Sequence, residues 1–258
     1  MTIQDKIIKK LDNELYPDLT ADMVYKLSNE SERGAILIGT SKIEEYLEIF
    51  ILKILPESSN SYTKRLTNYP GPLSSLSSKI ELLYGFRYIN KEFRESLNKL
   101  KKLRNQAAHS YDNFSLTENS ELIYEITAFM EDIGYVVNEI SMKSLLKLKK
   151  SKMEKIYAGK KIEIDYDYIE STLKEFKTSK DGKRQHRIWQ LSYGIVFMCL
   201  YVLVLMDEND NLKDKNLTHP IKQLYDRVHV TKLERFDLKS EFCLCFTNFT
   251  FKLIILLY

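Results

Sequence analysis

Ser31–Leu55, "SERGAILIGTSKIEEYLEIFILKIL", decides the fold class. Ile36, Ile43, Leu47, Phe50 and Ile54 recur at helical spacing, and Glu44, Glu45 and Glu48 occupy a separate sector. Leu37, Ile38, Ile49, Ile51 and Leu52 widen the apolar stripe. A stripe that wide predicts a helix covered on more than one side, at the centre of a bundle or against a second copy of the chain. Pro56 ends it.

The same pattern extends in both directions. Residues 3–15 read as a short amphipathic helix stopped by Pro17, and "LTADMVYKLSNES" (19–31) as a second. Residues 56–73, "PESSNSYTKRLTNYPGPL", read as a loop because Ser, Asn, Pro and Gly cluster there. A helix is predicted at about 74–86. Asn90 is a candidate N-cap for the next, with Glu92 in the first turn, where the helix dipole favours an acid. Phe93, Leu97, Leu100, Leu103 and Ala107 form its core face. A long helical pattern then runs from about Leu116 to Lys150.

Composition agrees with helices. The 258 residues are 44% apolar and 29% charged, which is globular rather than disordered. Only 8 Gly and 5 Pro argue against an all-β fold built on tight turns. The net charge of +3 selects no partner class. Three Cys give no even disulfide framework, and the N-terminus lacks the pattern of a signal peptide, so a reducing cytoplasm is expected.

Beyond residue 141 the character changes. Met142–Lys161 carries eight Lys against one Glu, and Lys174–Arg187 six basic residues against two acids. These lysines could follow an RNA backbone. A solvated helix and linker is the simpler reading, since Glu163, Asp165, Asp167 and Glu170 interrupt the run. Tyr157, Tyr166 and Tyr168 are candidates for base stacking or for packing. The predicted organisation is a helical bundle over 1–158 and a smaller mixed region over 159–258. β-like alternation is read in "KIEIDYDYI" (161–169) and "RVHVTKLERFDL" (227–238).

Residues 188–206, "IWQLSYGIVFMCLYVLVLM", approach membrane-spanning length, with "GKRQHR" before them and "DEND" after. Gln190, Ser192 and Tyr193 interrupt the run, so the expectation is a buried segment of a soluble protein and no membrane partner. The apolar end "FKLIILLY" is expected to need cover. Cys243 and Cys245 have no second ligand pair nearby, and His186, His219 and His229 are scattered. No metal and no cofactor are therefore expected. P-loop, dinucleotide-binding and serine-nucleophile motifs are lacking.

One polar cluster remains. In Leu100–Ser110, "LKKLRNQAAHS", the helical pattern stops on Arg104, Asn105 and His109. Asn105 and His109 are four apart and share a face. Arg104 lies about 140° from His109 on a continuous helix and beside the leucine stripe, so the two meet only if the helix ends near Ala108. One reading is structural: an Arg–Glu pair, and a His capping the helix C-terminus. The other is a phosphate site, with Arg as a bidentate donor and His as a proton carrier near neutrality.

Three blocks, 31–55, "GPLSSLSSKIELLYGF" (71–86) and 100–110, occur in the order seen in the mannitol operon repressor family. Over about residues 28–112 the chain resembles that family and, through it, the HEPN (higher eukaryotes and prokaryotes nucleotide-binding) superfamily. Its hallmark is Arg, a polar residue, a few variable positions and His, here Arg104, Asn105 and His109. The resemblance implies a helical bundle that pairs into a homodimer. It also implies one of two functions. One is a metal-independent endoribonuclease of toxin or defence type, acting on RNA and answering to a neutralising or regulatory protein. In that scheme His109 is the acid/base, Arg104 holds the scissile phosphate and Asn105 orients one of them. The other is a non-catalytic transcriptional regulator.

Overall fold

A computed structural model describes residues 21–55, 59–109, 114–130, 133–160 and 163–213. Among these the chain is all helix: α1 (Ala21–Ser28), α2 (Glu32–Ile54), α3 (Asn60–Thr67), α4 (Leu76–Gly85), α5 (Lys91–His109), α6 (Ser120–Thr127), α7 (Ile133–Lys160), α8 (Tyr166–Thr178) and α9 (Lys180–Lys213). No strand occurs among the described residues, so the fold is mainly α as expected. The helix expected at 3–15, the alternation at 227–238, Cys243, Cys245, His219, His229 and the apolar end lie outside them.

The chain divides into two compact units. Among the described residues, one contains Lys42–Arg94 and Phe197–Lys213; the other contains Asp22–Ser41 and Glu95–Val196. The divisions fall within α1, α2, α5 and α9.

In the first unit the core is built on Ile43, Tyr46, Leu47, Phe50, Ile80, Leu83 and Phe93, all at most 2% exposed. Phe50 meets Tyr88 edge-on with ring centroids 5.5 Å apart, and Phe93 meets Tyr201 at 4.9 Å. The Glu sector read in α2 has a definite role. Lys79 of α4 is buried, and its Nζ lies 3.0 Å from Glu44 and 2.8 Å from Glu48. A buried ammonium is tolerable because two carboxylates neutralise it. Cys199 is fully buried here, and burial pushes its thiol above the usual range, so it acts as an apolar side chain.

In the second unit Glu32 is the buried acid. It accepts from the backbone N–H of Leu116 and from Arg184 Nε. α5 is tied to α6 by Ser96, whose hydroxyl donates to the Glu125 carbonyl, and by Lys99 with Glu125. α7 meets α9 through Ser141 with His186 at 3.0 Å and Ser144 with Tyr193 at 2.8 Å. Two glycines allow close helix approaches. A Cβ at Gly39 would lie 2.1 Å from Ile195 Cδ1, and one at Gly194 2.3 Å from Thr127 Cγ2.

Four features depart from the sequence reading. First, the 56–73 stretch is not all loop: it contains α3, capped by Ser59 Oγ, which accepts from Tyr62 N at 3.3 Å. α3 buries none of its residues, so it has no apolar period to reveal it. Second, the 116–150 pattern is two helices. Ile126, Phe129, Ile133, Val137 and Ile140 are all buried and stay in helical phase across the break, which hides it from a period analysis. The chain turns after Thr127, whose hydroxyl donates to the Tyr124 carbonyl, and α7 restarts with Gly134 close against Ala128. Third, the alternation at 161–169 is cap chemistry. Asp165 Oδ1 accepts from Tyr168 N at 2.9 Å, and α8 begins at Tyr166 with Ile169 and Phe176 facing inward. The described part of the 159–258 region is therefore helical rather than mixed.

Fourth, the wide stripe of α2 is not wholly covered. Leu37, Ile38 and Leu52 are exposed.

Residues 188–206 lie within α9. Lys180–Asp207 is long and apolar enough to cross a membrane: an 18-residue window within it has mean hydropathy 2.0, and 89% of that window is buried inside the protein. Its polar interruptions are met locally, except for Gln190 Nε2, which is buried without a hydrogen-bond partner. Ser192 Oγ donates to the Ile188 carbonyl at 2.8 Å, Gln190 Oε1 accepts from Arg187 at 2.6 Å, and the Tyr193 hydroxyl pairs with Ser144. This is the environment of a core helix, as the interruptions predicted.

Candidate functional site

α5 is set in place from its first turn. Asn90 Oδ1 accepts from Phe93 N at 2.9 Å, which is the expected N-cap. Arg94 makes a forked ion pair with Glu81, at 2.9–3.2 Å, and its guanidinium lies 4.6 Å from the centroid of the Tyr84 ring. Phe93, Leu97, Leu100, Leu103 and Ala107 are at most 1% exposed, as the spacing required.

The other end of α5 is different. Arg104, Asn105, Gln106, Ala108 and His109 are all exposed. Arg104 Nη1 donates to Asn105 Oδ1 at 3.2 Å. The helix continues through His109, its last residue. Asn105 and His109 therefore sit about 40° apart around the axis, and Arg104 about 100° to the other side of Asn105.

This corrects one expectation. Arg104 lies seven residues after Leu97, about 20° away around the axis, and helical phase alone would bury it. It is in solvent, and no acid pairs with it among the described residues. Beyond Leu100 the covered face is carried by Leu103 and Ala107, on the side of the stripe away from Arg104, and the Leu97 side is left open. The structural Arg–Glu pair is thus not present among the described residues. His109 does stand where a helix C-terminus favours a cation, so that part of the structural reading keeps its basis.

The arrangement is a cationic fork steadied by an amide, with an imidazole one turn beyond the amide. A guanidinium can hold two oxygens of one phosphate. An exposed imidazole can exchange protons with a bound group.

The other sequence candidates are more engaged. Lys149 Nζ lies 3.4 Å from the centroid of the Phe176 ring, and Lys150 5.8 Å from that of Tyr166. Part of the lysine-rich stretch is therefore spent on packing α8. Tyr166 and Tyr168 are exposed and Tyr157 is half-buried.

His186 is buried, and its Nε2 faces Ser141 Oγ and, at 3.2 Å, the Asn138 carbonyl. Burial lowers its pKa below 6.5, with Arg187 and Lys177 adding to the effect; the Asn138 carbonyl and Glu139 oppose it. A Ser–His pair sealed in this way is structural. Sequence spacing gives no sign of it, because the two residues are 45 positions apart.

Among the described residues no group of three or more His, Cys, Asp or Glu could hold a metal ion. No protein-family model, curated protein or solved structure matches the chain.

Proposed function

We propose that the chain is a metal-independent endoribonuclease of toxin or defence type, with Arg104, Asn105 and His109 as its working residues. The observation that carries this reading is that Arg104 is exposed and bound to Asn105 alone, and that Asn105 stands one helical turn from an exposed His109. Lys79 and Arg94, by contrast, are matched to acids.

In the proposed reaction Arg104 grips the scissile phosphate with its planar fork. His109 takes the proton of the 2′-hydroxyl as that oxygen attacks phosphorus. The bond to the 5′ oxygen breaks, and a second imidazole returns a proton to it. The products are a 2′,3′-cyclic phosphate and a 5′-hydroxyl. Asn105 holds the fork in place.

On one chain these groups lie on an open helix face, where water screens them. Two copies placed motif to motif would form the walls of a cleft and supply the second His109, so the proposal includes a homodimer. The uncovered Leu37, Ile38 and Leu52 give α2 apolar surface to place in such a contact.

The test is incubation of wild type, His109→Ala and Arg104→Lys with mixed RNA in EDTA, with thermal melts alongside. Wild type should cut, and both variants should fail while melting normally. Arg104→Lys keeps the charge and loses the fork, so it separates gripping from attraction. Background cleavage by all three would end the nuclease reading and leave the non-catalytic regulator.

A further inference from the structure

The helix α3 and the turn after it form a surface of their own. From Ser59 to Leu73 the sequence has Lys64 and Arg65 and no acid. Ser61, Lys64, Arg65, Asn68, Tyr69, Pro70, Gly71 and Pro72 line an open recess of about 600 Å³, within the range of small-ligand sites, roughly 300–1,000 Å³. Tyr69 is 92% exposed, so it contributes almost nothing to packing. Tyr62 is 48% exposed, and the Arg65 guanidinium lies 5.9 Å from its ring centroid. No acid pairs with Lys64 or Arg65 among the described residues.

The support beneath the recess is firm. Gly71 N donates to the Asn68 carbonyl at 2.6 Å and Leu73 N to the Leu66 carbonyl at 2.9 Å. Ser74 returns both its N–H and its hydroxyl to the Gly71 carbonyl. A Cβ at Gly71 would lie 2.3 Å from the Arg65 carbonyl oxygen and 2.5 Å from that of Leu66, so only glycine closes the turn this tightly. Tyr69 is thus presented to solvent from a turn pinned at both ends. A bare aromatic ring beside cations that no acid neutralises matches the chemistry of unpaired nucleotides: phosphates for Lys64 and Arg65, a base face for Tyr69. A duplex keeps its base faces stacked inside and could use only the charges.

We infer that the α3 ledge binds single-stranded nucleic acid, with a base stacked on Tyr69 and the adjoining phosphates held by Lys64 and Arg65. The inference gives the RNA reading above a docking surface and rests on it for the preference of RNA over DNA. It does not depend on cleavage.

Binding is therefore measured on the full chain carrying His109→Ala, in EDTA, by fluorescence anisotropy. The probes are fluorescein-labelled oligouridine and oligothymidine of about twelve nucleotides and a duplex of the same length. Tyr69→Ala should weaken binding to the single strands by roughly five- to 150-fold, the range for removal of one stacked base, and Tyr69→Trp should restore it. It should leave duplex binding and the melting curve unchanged. Replacing Lys64 and Arg65 with Gln should flatten the salt dependence by about 0.7 logarithmic units for each phosphate no longer held. Tyr135→Ala, at an exposed tyrosine of the other unit, should bind as the parent.

Single-strand binding that is unchanged by Tyr69→Ala overturns the inference. So does displacement of the oligomer by polyglutamate at matched charge, which would make the ledge a site for an acidic protein. Tighter binding of oligothymidine than oligouridine keeps the ledge and removes the RNA preference. Absence of cleavage in wild type with ledge binding intact counts against the nuclease alone.

Discussion

Arg94 and Arg104 stand ten positions apart on α5 and have opposite surroundings. Arg94 is held by a forked carboxylate and lies against a ring. Arg104 has an amide for a neighbour and water beyond it. Lys79 extends the series the other way, buried between two acids. The three form a scale from fold to function. The more of a cation's surroundings the fold supplies, the less of it remains for a ligand.

Four substitutions and one titration break or sharpen that scale. The largest effect belongs to the free end. If the motif is catalytic, His109→Ala loses roughly 10²–10⁴ in cleavage rate, the usual contribution of a positioned proton carrier, while its melting curve overlays wild type. A melting drop comparable to that of a core variant would move His109 to the fold side of the comparison.

The next effect belongs to the buried end. Lys79→Met strands Glu44 and Glu48 beside each other and should cost about 2 kcal/mol by denaturant unfolding. That is below the 3–5 kcal/mol of a fully buried broken pair, because each carboxylate keeps about a third of its exposure. A neutral result would mean that the two acids turn to water at no cost.

His186 tests a buried polar group by titration. Its folded pKa lies below 6.5, chiefly through burial. The unfolded chain therefore takes the proton first as the pH falls through about 6.5, and stability declines from there down to the folded pKa, after which the loss is constant. Melts at pH 7.5 and 5.5 should show a drop that His186→Gln reduces. An identical drop in both proteins assigns the acid sensitivity to other groups.

The smallest effects compare the two arginines directly. Arg94→Ala should cost below about 1 kcal/mol, since the pair it breaks is partly exposed and screened. Arg104→Ala should stay within about 0.5 kcal/mol, as for an ordinary surface change. A larger cost for Arg104 than for Arg94 would invert the scale and remove the main support for a ligand at Arg104.

The sequence was readable wherever burial imposed a period. α2, α4 and α5 followed their leucines and isoleucines, and Asn90 was legible because a side-chain cap is local chemistry. α3 escaped because it buries nothing. The gap between α6 and α7 escaped because its buried residues keep the same phase on both sides. The site divided in the same way. Arg104, Asn105 and His109 could be picked out as a pattern, but the exposure of Arg104 depends on which flank of α5 its neighbours cover, and one helix's sequence does not carry that. Tyr69 was invisible for the opposite reason: a lone aromatic in a Ser–Asn–Pro–Gly stretch has no period to break.

Gly39 and Gly194 bear on a different property, the axial position of α9. An apolar helix of this length offers its neighbours many nearly equivalent seats, each a turn apart. Ile195 fills the hollow left by Gly39, and the next residue back, Gly194, receives the Thr127 methyl. A knob and a notch on consecutive residues, engaged with two different helices, act as a key. Sliding α9 by a turn would take both out of their seats and set a Cβ against Thr127 where Gly194 now is. Each glycine gives up about 1 kcal/mol of helix propensity relative to alanine. At these positions a gain in propensity would bring a collision. Selecting one seat among many is thus obtained with a small sacrifice of local helix stability, and the pairs of His186 with Ser141 and Tyr193 with Ser144 mark the same register.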